Sequence, residues 1–147
     1  MEYTGYQVHV KKRIPFLQAL LDFYCGNALI SFEGNLSAAD FREIPVISSE
    51  PTELLRRGTK WPLYDFVILP LEEATLDLLK KNVLNQIGVQ KKVDHILIAK
   101  NEEKVTVIHD RFHPDSVWVR RDFPSTTLQE LQEKKVISSY KPVTWGK

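Results

Sequence analysis

The central part of the chain, at about residues 93–120, alternates apolar and β-branched runs with short polar stretches. Two of these runs, 93–99 and 105–110, flank a charged tip, which is the pattern of an antiparallel hairpin. A third run, 117–120, follows a proline-aspartate turn signal. The pattern therefore predicts a three-stranded β-meander in the middle of the fold.

The same alternation predicts the other elements on either side of the meander. Further strands are expected at 6–10, 28–33, 65–69 and 136–140, and an edge strand at 44–47, where Pro45 excludes a central position. Helices are expected at 15–24, 37–42, 52–57 and 72–87, and through Leu128 and Leu131. This order predicts an α+β protein. Its sheet would be mixed but largely antiparallel, with helices packed mainly on one face and residues 1–147 in a single domain. Residues 141–147 are a candidate C-terminal tail.

Composition narrows the class of protein. Hydrophobic residues make up 43% of the 147 positions, enough to fill a core. The formal net charge of +1 makes nucleic acid an unlikely partner, since phosphate binding usually requires a basic excess. The single cysteine, Cys25, excludes an internal disulfide and favours a reducing compartment. The chain shows neither a secretory signal nor an apolar run long enough to cross a bilayer. We therefore expect a cytoplasmic, soluble protein without a membrane partner.

Histidines within the meander are the candidates for chemistry. His95, His109 and His113, together with Asp110, could serve in acid-base catalysis, and the three histidines could bind a metal. Whether His95 lies opposite His109 depends on the length of the hairpin loop. A four-residue loop would place His95 opposite Asp110, whereas a five-residue loop would place it opposite His109, close enough to share a ligand. The sequence leaves both registers open.

The recognised catalytic and cofactor signatures are absent from the sequence. It contains no glycine-rich phosphate loop, no GxSxG nucleophile elbow and no HExxH zinc motif. The histidine spacing also matches no strong zinc pattern. We therefore expect no cofactor, and a metal-assisted or acid-base enzyme is the alternative rather than the first interpretation.

Aromatic and charged residues suggest a binding surface. The outer meander carries residue types that often dominate protein interfaces, or lie at its charged tip: Arg111, Trp118, Arg120, Glu102 and Glu103. This surface requires an accessible indole at Trp118. Burial in the core is nevertheless the favoured interpretation for most aromatic residues of the loops and strands, because they bring large apolar area to a small domain: Trp61, Tyr64, Trp118, Tyr140 and Trp145.

Taken together, these patterns favour a small non-enzymatic binding or regulatory module that acts through protein-protein contact. The partner is expected to be another protein. The pattern does not indicate an oligomeric state.

Overall fold

The computed structural model describes residues 4–37, 39–85 and 93–144. These residues form one antiparallel sheet in the order β3-β2-β4-β5-β6-β1-β7. The strands are β1 (Gly5–Val10), β2 (Ala28–Gly34), β3 (Asp65–Leu71), β4 (Val93–Lys100), β5 (Glu103–Ile108), β6 (Val117–Arg120) and β7 (Ile137–Val143). With the helices described next, this arrangement confirms the predicted α+β class.

Helices cover one side of the sheet, here called the helix face. They are α1 (Arg13–Tyr24), α2 (Glu73–Leu78), which continues as a wider π-helical turn (Leu79–Leu84), and α3 (Ser125–Glu133). Apolar residues at helical spacing, such as Leu17 and Leu21, pack against alternate strand residues such as Ile96 and Ile98. The predicted helix at 72–87 is present up to Leu84, and its predicted end lies outside the described residues.

The opposite side, here called the loop face, is covered by the long connection between β2 and β3. Leu55 of this connection is 1% exposed and packs on a second apolar cluster that includes Leu97, Val107 and Trp118. Ile47 and Ser48 also hydrogen-bond to Ile68 of the edge strand. The sheet is therefore buried on both faces, although one cover has no regular secondary structure.

Two predicted helices in this connection are wrong, because side chains there bond to nearby backbone groups instead of allowing a helical ladder. Between residues 37 and 42, the Asp40 carboxylate accepts hydrogen bonds from the backbone and the side chain of Arg42. Between residues 52 and 57, Thr52 N–H donates to the Leu55 carbonyl at 3.0 Å, which is opposite to the direction of a helical hydrogen bond. In this second stretch, burial of Leu55 determines the path of the chain.

Two strands continue beyond the predicted ends at residues 69 and 140, and each includes a proline. β3 continues through Pro70 to Leu71, and β7 continues through Pro142 to Val143. Both strands lie at edges of the sheet, where a missing N–H can face away from the neighbouring strand. Residues 141–143 therefore belong to the sheet rather than to a tail, while residues 145–147 lie outside the described part.

The β4–β5 hairpin has a shorter turn than either predicted loop. Lys100 pairs with Glu103, so the turn is Asn101-Glu102, and both of its residues have positive φ. A β-bulge then shifts the register, and Ile96 pairs with Ile108. The bulge thus gives the register that had been expected from a five-residue loop.

The length and apolar character of a helix decide whether it could cross a membrane. The longest helix in the described part of the chain, α1, has 12 residues, and none there has the length and apolar character needed to cross a bilayer.

Replacing Leu55 by alanine tests whether the connection is part of the core. We expect the free energy of unfolding to fall by about 2–5 kcal/mol, because the substitution leaves a cavity under the connection. Leu63→Ala is the matched control: Leu63 is 68% exposed, so the change should stay within about 0.5 kcal/mol. Equal costs in urea denaturation would contradict a packed connection.

Candidate functional site

His95 and His109 lie side by side on the loop face, near one end of β4 and β5. Their Nδ1 atoms are 2.9 Å apart, and the ring centroids are separated by 4.8 Å. His95 is 5% exposed and His109 is half-buried. Two of the residues that the sequence singled out are therefore in direct contact.

A left-handed turn after β5 helps to hold this pair. Asp110, Arg111 and Phe112 have φ values of 52°, 55° and 66°, a conformation that costs non-glycine residues about 1–3 kcal/mol each. The cost is offset by burial of Phe112 and by an ion pair of Arg111 with Asp94 at 2.5 Å. This turn also directs the Asp110 N–H toward Nδ1 of His95, at 3.4 Å.

Glu33 lies beside His95 on the neighbouring strand β2 and is 1% exposed. One carboxylate oxygen accepts a hydrogen bond from Gly58 N–H at 2.6 Å, and the other accepts one from Thr59 N–H at 3.2 Å. A buried carboxylate is costly without such partners. Glu33 therefore binds the connection to the sheet at this point.

Thr59 also contacts His95, through a distance of 2.7 Å between its hydroxyl and Nε2 of the ring. Gly58 lies so close to the same ring that a Cβ atom there would be 2.8 Å from three of its atoms. Only glycine fits this approach without displacing His95. We call the four polar residues Glu33, Thr59, His95 and His109 the His–Glu cluster.

The neighbours of His95 indicate where its ring hydrogen lies. Its Nδ1 accepts from Asp110 N–H, so the hydrogen is on Nε2 and is donated to the Thr59 hydroxyl. The short contact between the two Nδ1 atoms then requires His109 Nδ1 to donate. Both ring nitrogens of His95 are therefore engaged within the protein.

The ionisation of His109 is shifted by this environment. Burial lowers the pKa of His109 below its ordinary value of 6.5, and the adjacent His95 and Lys104 lower it further. Asp110 acts in the opposite direction but does not reverse the shift. The folded protein thus favours a neutral His109.

The third histidine of the meander, His113, has a separate local role. It is exposed, and its Nδ1 accepts a hydrogen bond from Asp115 N–H at the start of a short 3₁₀ turn. Within the described ranges, no three histidine, cysteine or acidic side chains converge as metal ligands would. His95, His109 and His113 therefore do not form a three-ligand set.

The residues expected to form a binding surface are divided between the core and the surface. Trp118 is 6% exposed and packs on the loop face, so the expected surface loses its anchor. Arg120 is ion-paired with Asp122 at 2.8 Å and with Glu103 at 3.4 Å. Arg111 is paired with Asp94, as described above.

Glu102, at the hairpin turn, borders an open cavity of about 710 Å³ at the other end of the loop face. Glu53 and Glu72 also line this cavity, and Leu29 and Ala99 lie among its apolar lining residues. Of the residues predicted from the sequence to bind a partner, only Glu102 lines this cavity.

The most exposed large hydrophobic side chain that the structure describes is Trp61, at 85% exposure. The expectation that it lies in the core is wrong. Arg57 donates to the Tyr64 carbonyl at 2.6 Å and closes the base of the loop. Trp61 and Leu63 lie between these two anchored ends and are exposed. We call residues 56–64 the Trp61 loop. Of the other aromatics, Tyr64 and Tyr140 are half-buried, while Trp145 is outside the described residues.

Sequence reasoning missed Glu33, Gly58 and Thr59 as parts of the site. Glu33 follows an apolar strand run, and a carboxylate there is a weak sign of a buried partner. Its pairing with His95 depends on which strands are neighbours, and the pattern of a single strand does not contain that information.

Glu33→Gln should weaken the attachment of the connection. Glutamine keeps the size of the side chain but removes the charge and one acceptor, so we expect a loss of about 1–3 kcal/mol in the free energy of unfolding. Glu53→Gln, at an exposed position of the same connection, is the control. A Glu33→Gln loss no larger than that of the control, in urea denaturation, would contradict the anchoring role.

Stability should also depend on pH through His109. Because its pKa is lowered in the folded state, the unfolded chain binds the proton more readily. The contribution of His109 to stability is therefore fully present above about pH 6.5 and is lost as the pH falls toward the lowered value. His109→Asn should reduce this pH dependence, while His113→Asn should leave it unchanged. Identical pH profiles of chemical denaturation in wild type and His109→Asn would refute this assignment.

Comparison with known proteins provides no family for this chain. No protein-family model matches it, and no curated protein or solved structure matches it significantly. The function must therefore be argued from the geometry of the chain itself.

Proposed function

We propose that this protein is a non-enzymatic binding module that contacts another protein through the Trp61 loop. The observation that carries the proposal is the 85% exposure of Trp61 on a loop whose base is fixed to the sheet. Tryptophan is among the residues that most often dominate binding energy at protein interfaces. A partner that covers this indole and Leu63 would bury a large apolar area.

The Trp61 loop is supported on its inner side. The Arg57 guanidinium lies over the Phe66 ring, 5.1 Å from its centroid, and Leu55 precedes the loop in the core. Gly58 and Thr59 are bonded to Glu33. Since the base is held in place before binding, less conformational entropy is lost when a partner binds.

Further apolar side chains lie on the same connection. Of the five exposed large hydrophobic residues in the described part of the chain, four belong to it. They are Val46, Ile47, Trp61 and Leu63. Exposed apolar residues that are concentrated on one segment are a common sign of a contact surface.

Charge indicates the chemistry of the partner. The Trp61 loop contains Arg56, Arg57 and Lys60 and no acidic residue. Arg57 is engaged on the inner side, so Arg56 and Lys60 are the exposed cations that a partner could meet. Complementary charge guides association and selects among partners. The best match is a protein segment that combines acidic residues with an apolar side chain able to contact the Trp61 indole.

The acid-base alternative would use His95 and His109, which do lie together. It requires a substrate to reach them, whereas His95 is 5% exposed and both of its ring nitrogens are bonded to protein groups. A role in holding the Trp61 loop accounts for this arrangement without a substrate.

Peptide display tests the proposed binding directly. A random peptide library would be selected on the full chain and counter-selected on Trp61→Ala. We expect enrichment of peptides rich in Asp or Glu with at least one large apolar residue. Their affinity, measured by fluorescence anisotropy, should fall about thirtyfold in Trp61→Ala, as expected when a residue worth about 2 kcal/mol is removed.

The matched control is Phe23→Ala, which removes another exposed aromatic side chain located on α1, away from the connection. It should leave peptide affinity unchanged. Equal affinity of the selected peptides for wild type and Trp61→Ala would contradict the proposal. Binding of single-stranded DNA through Trp61, with steep salt dependence and no peptide enrichment, would replace it by a nucleic-acid function.

A further inference from the structure

We propose that the His–Glu cluster is a pH-sensitive fastening for the Trp61 loop, which is held near neutral pH and released on acidification. A pH effect on partner binding rests on the function proposed above. The pH-dependent hold of the His–Glu cluster on the Trp61 loop does not. The basis is geometric: His95 contacts His109 through their Nδ1 atoms, and its ring also contacts Gly58 and Thr59 of the Trp61 loop.

The contact between the histidines can accommodate only one hydrogen. At 2.9 Å between the two Nδ1 atoms, one ring must donate and the other must accept. His95 accepts, because the Asp110 N–H is directed at the same nitrogen. If both Nδ1 atoms carried a hydrogen, the rings would have to turn away from each other.

Acid therefore acts on this pair through His109. The added proton has an open position at Nε2 of His109, which has no hydrogen-bond partner among the described residues. It places a positive charge on a half-buried ring. A charged His109 that turns toward solvent would withdraw its Nδ1–H from His95 and break their contact.

Charged groups around the pair oppose one another. They are, by element, Glu33 on β2, Lys104 on β5 and Asp110 in the turn after β5. Glu33 already accepts two backbone N–H groups, and Asp94 is ion-paired with Arg111. Burial is the largest influence on His109 and lowers its pKa, so the added charge destabilises the closed arrangement.

A movement of the His95 ring would directly change the contacts of the Trp61 loop. Thr59 would lose the partner of its hydroxyl, and Gly58, which packs against the ring face, would lose its support. The bonds from the N–H groups of these two residues to Glu33 would then open more often, because contact with the His95 ring no longer supports them. Because Trp61 is two residues from Thr59, its position depends on this fastening.

Amide hydrogen exchange, measured by NMR on the full chain, tests the fastening without a partner. Protection factors for Gly58 and Thr59 would be compared at about pH 7.5 and about pH 5.5. We expect a loss of about tenfold or more at the lower pH, and a smaller loss at Ile96 and Ile98 in the sheet, whose exchange reports the fall in overall stability. His109→Asn keeps a donor at the Nδ1 position but does not titrate, so it should retain protection at both pH values.

His113→Asn provides the matched control, because it removes an exposed histidine outside the cluster. It should show the same loss as wild type. Equal protection at both pH values in wild type, or an equal loss in His109→Asn, would overturn the proposal. Failure of Trp61→Ala to weaken peptide binding would instead overturn the binding function and leave the exchange result in place.

Discussion

The buried carboxylate of Glu33 is the interaction on which the loop face depends. A charge at 1% exposure must be compensated inside the protein, and the N–H groups of Gly58 and Thr59 provide that compensation. The connection between β2 and β3 must therefore contact the sheet at Glu33, on strand β2. The burial of Leu55 before this point and the exposure of Trp61 after it both depend on that attachment.

The two faces of the sheet are covered in different ways. On the helix face, regular apolar stripes fit against alternating strand residues, so pattern and packing agree. On the loop face, an irregular chain covers Phe66, Ile68 and Leu97 by a few specific contacts. This cover explains why β3 has a continuous apolar run although it is an edge strand.

Sequence patterns were sufficient for the α+β class and for most strand positions, because alternation records which residues face the core. They failed in the β2–β3 connection, where bonds such as Thr52 N–H to the Leu55 carbonyl run opposite to the helical direction. They also left the register of His95 and His109 open. That register depends on a bulge in β5, and the alternation of apolar and polar residues in the hairpin does not reveal where an extra residue is inserted. Glu33 was missed for a similar reason, since its role exists only where β2 lies beside β4.

The bridge between Ser48 and Ile68 has a consequence for the behaviour of the whole chain in concentrated solution. Beyond this bridge, β3 is an edge of the sheet that the described residues form, and it contains Phe66, Val67 and Leu69. An apolar edge with unpaired backbone groups is a template for aggregation between molecules. Because the connection bonds to this edge at Ile68 and covers Leu97 and Phe66, a change that loosens it would expose more backbone groups of β3 together with the apolar surface beneath.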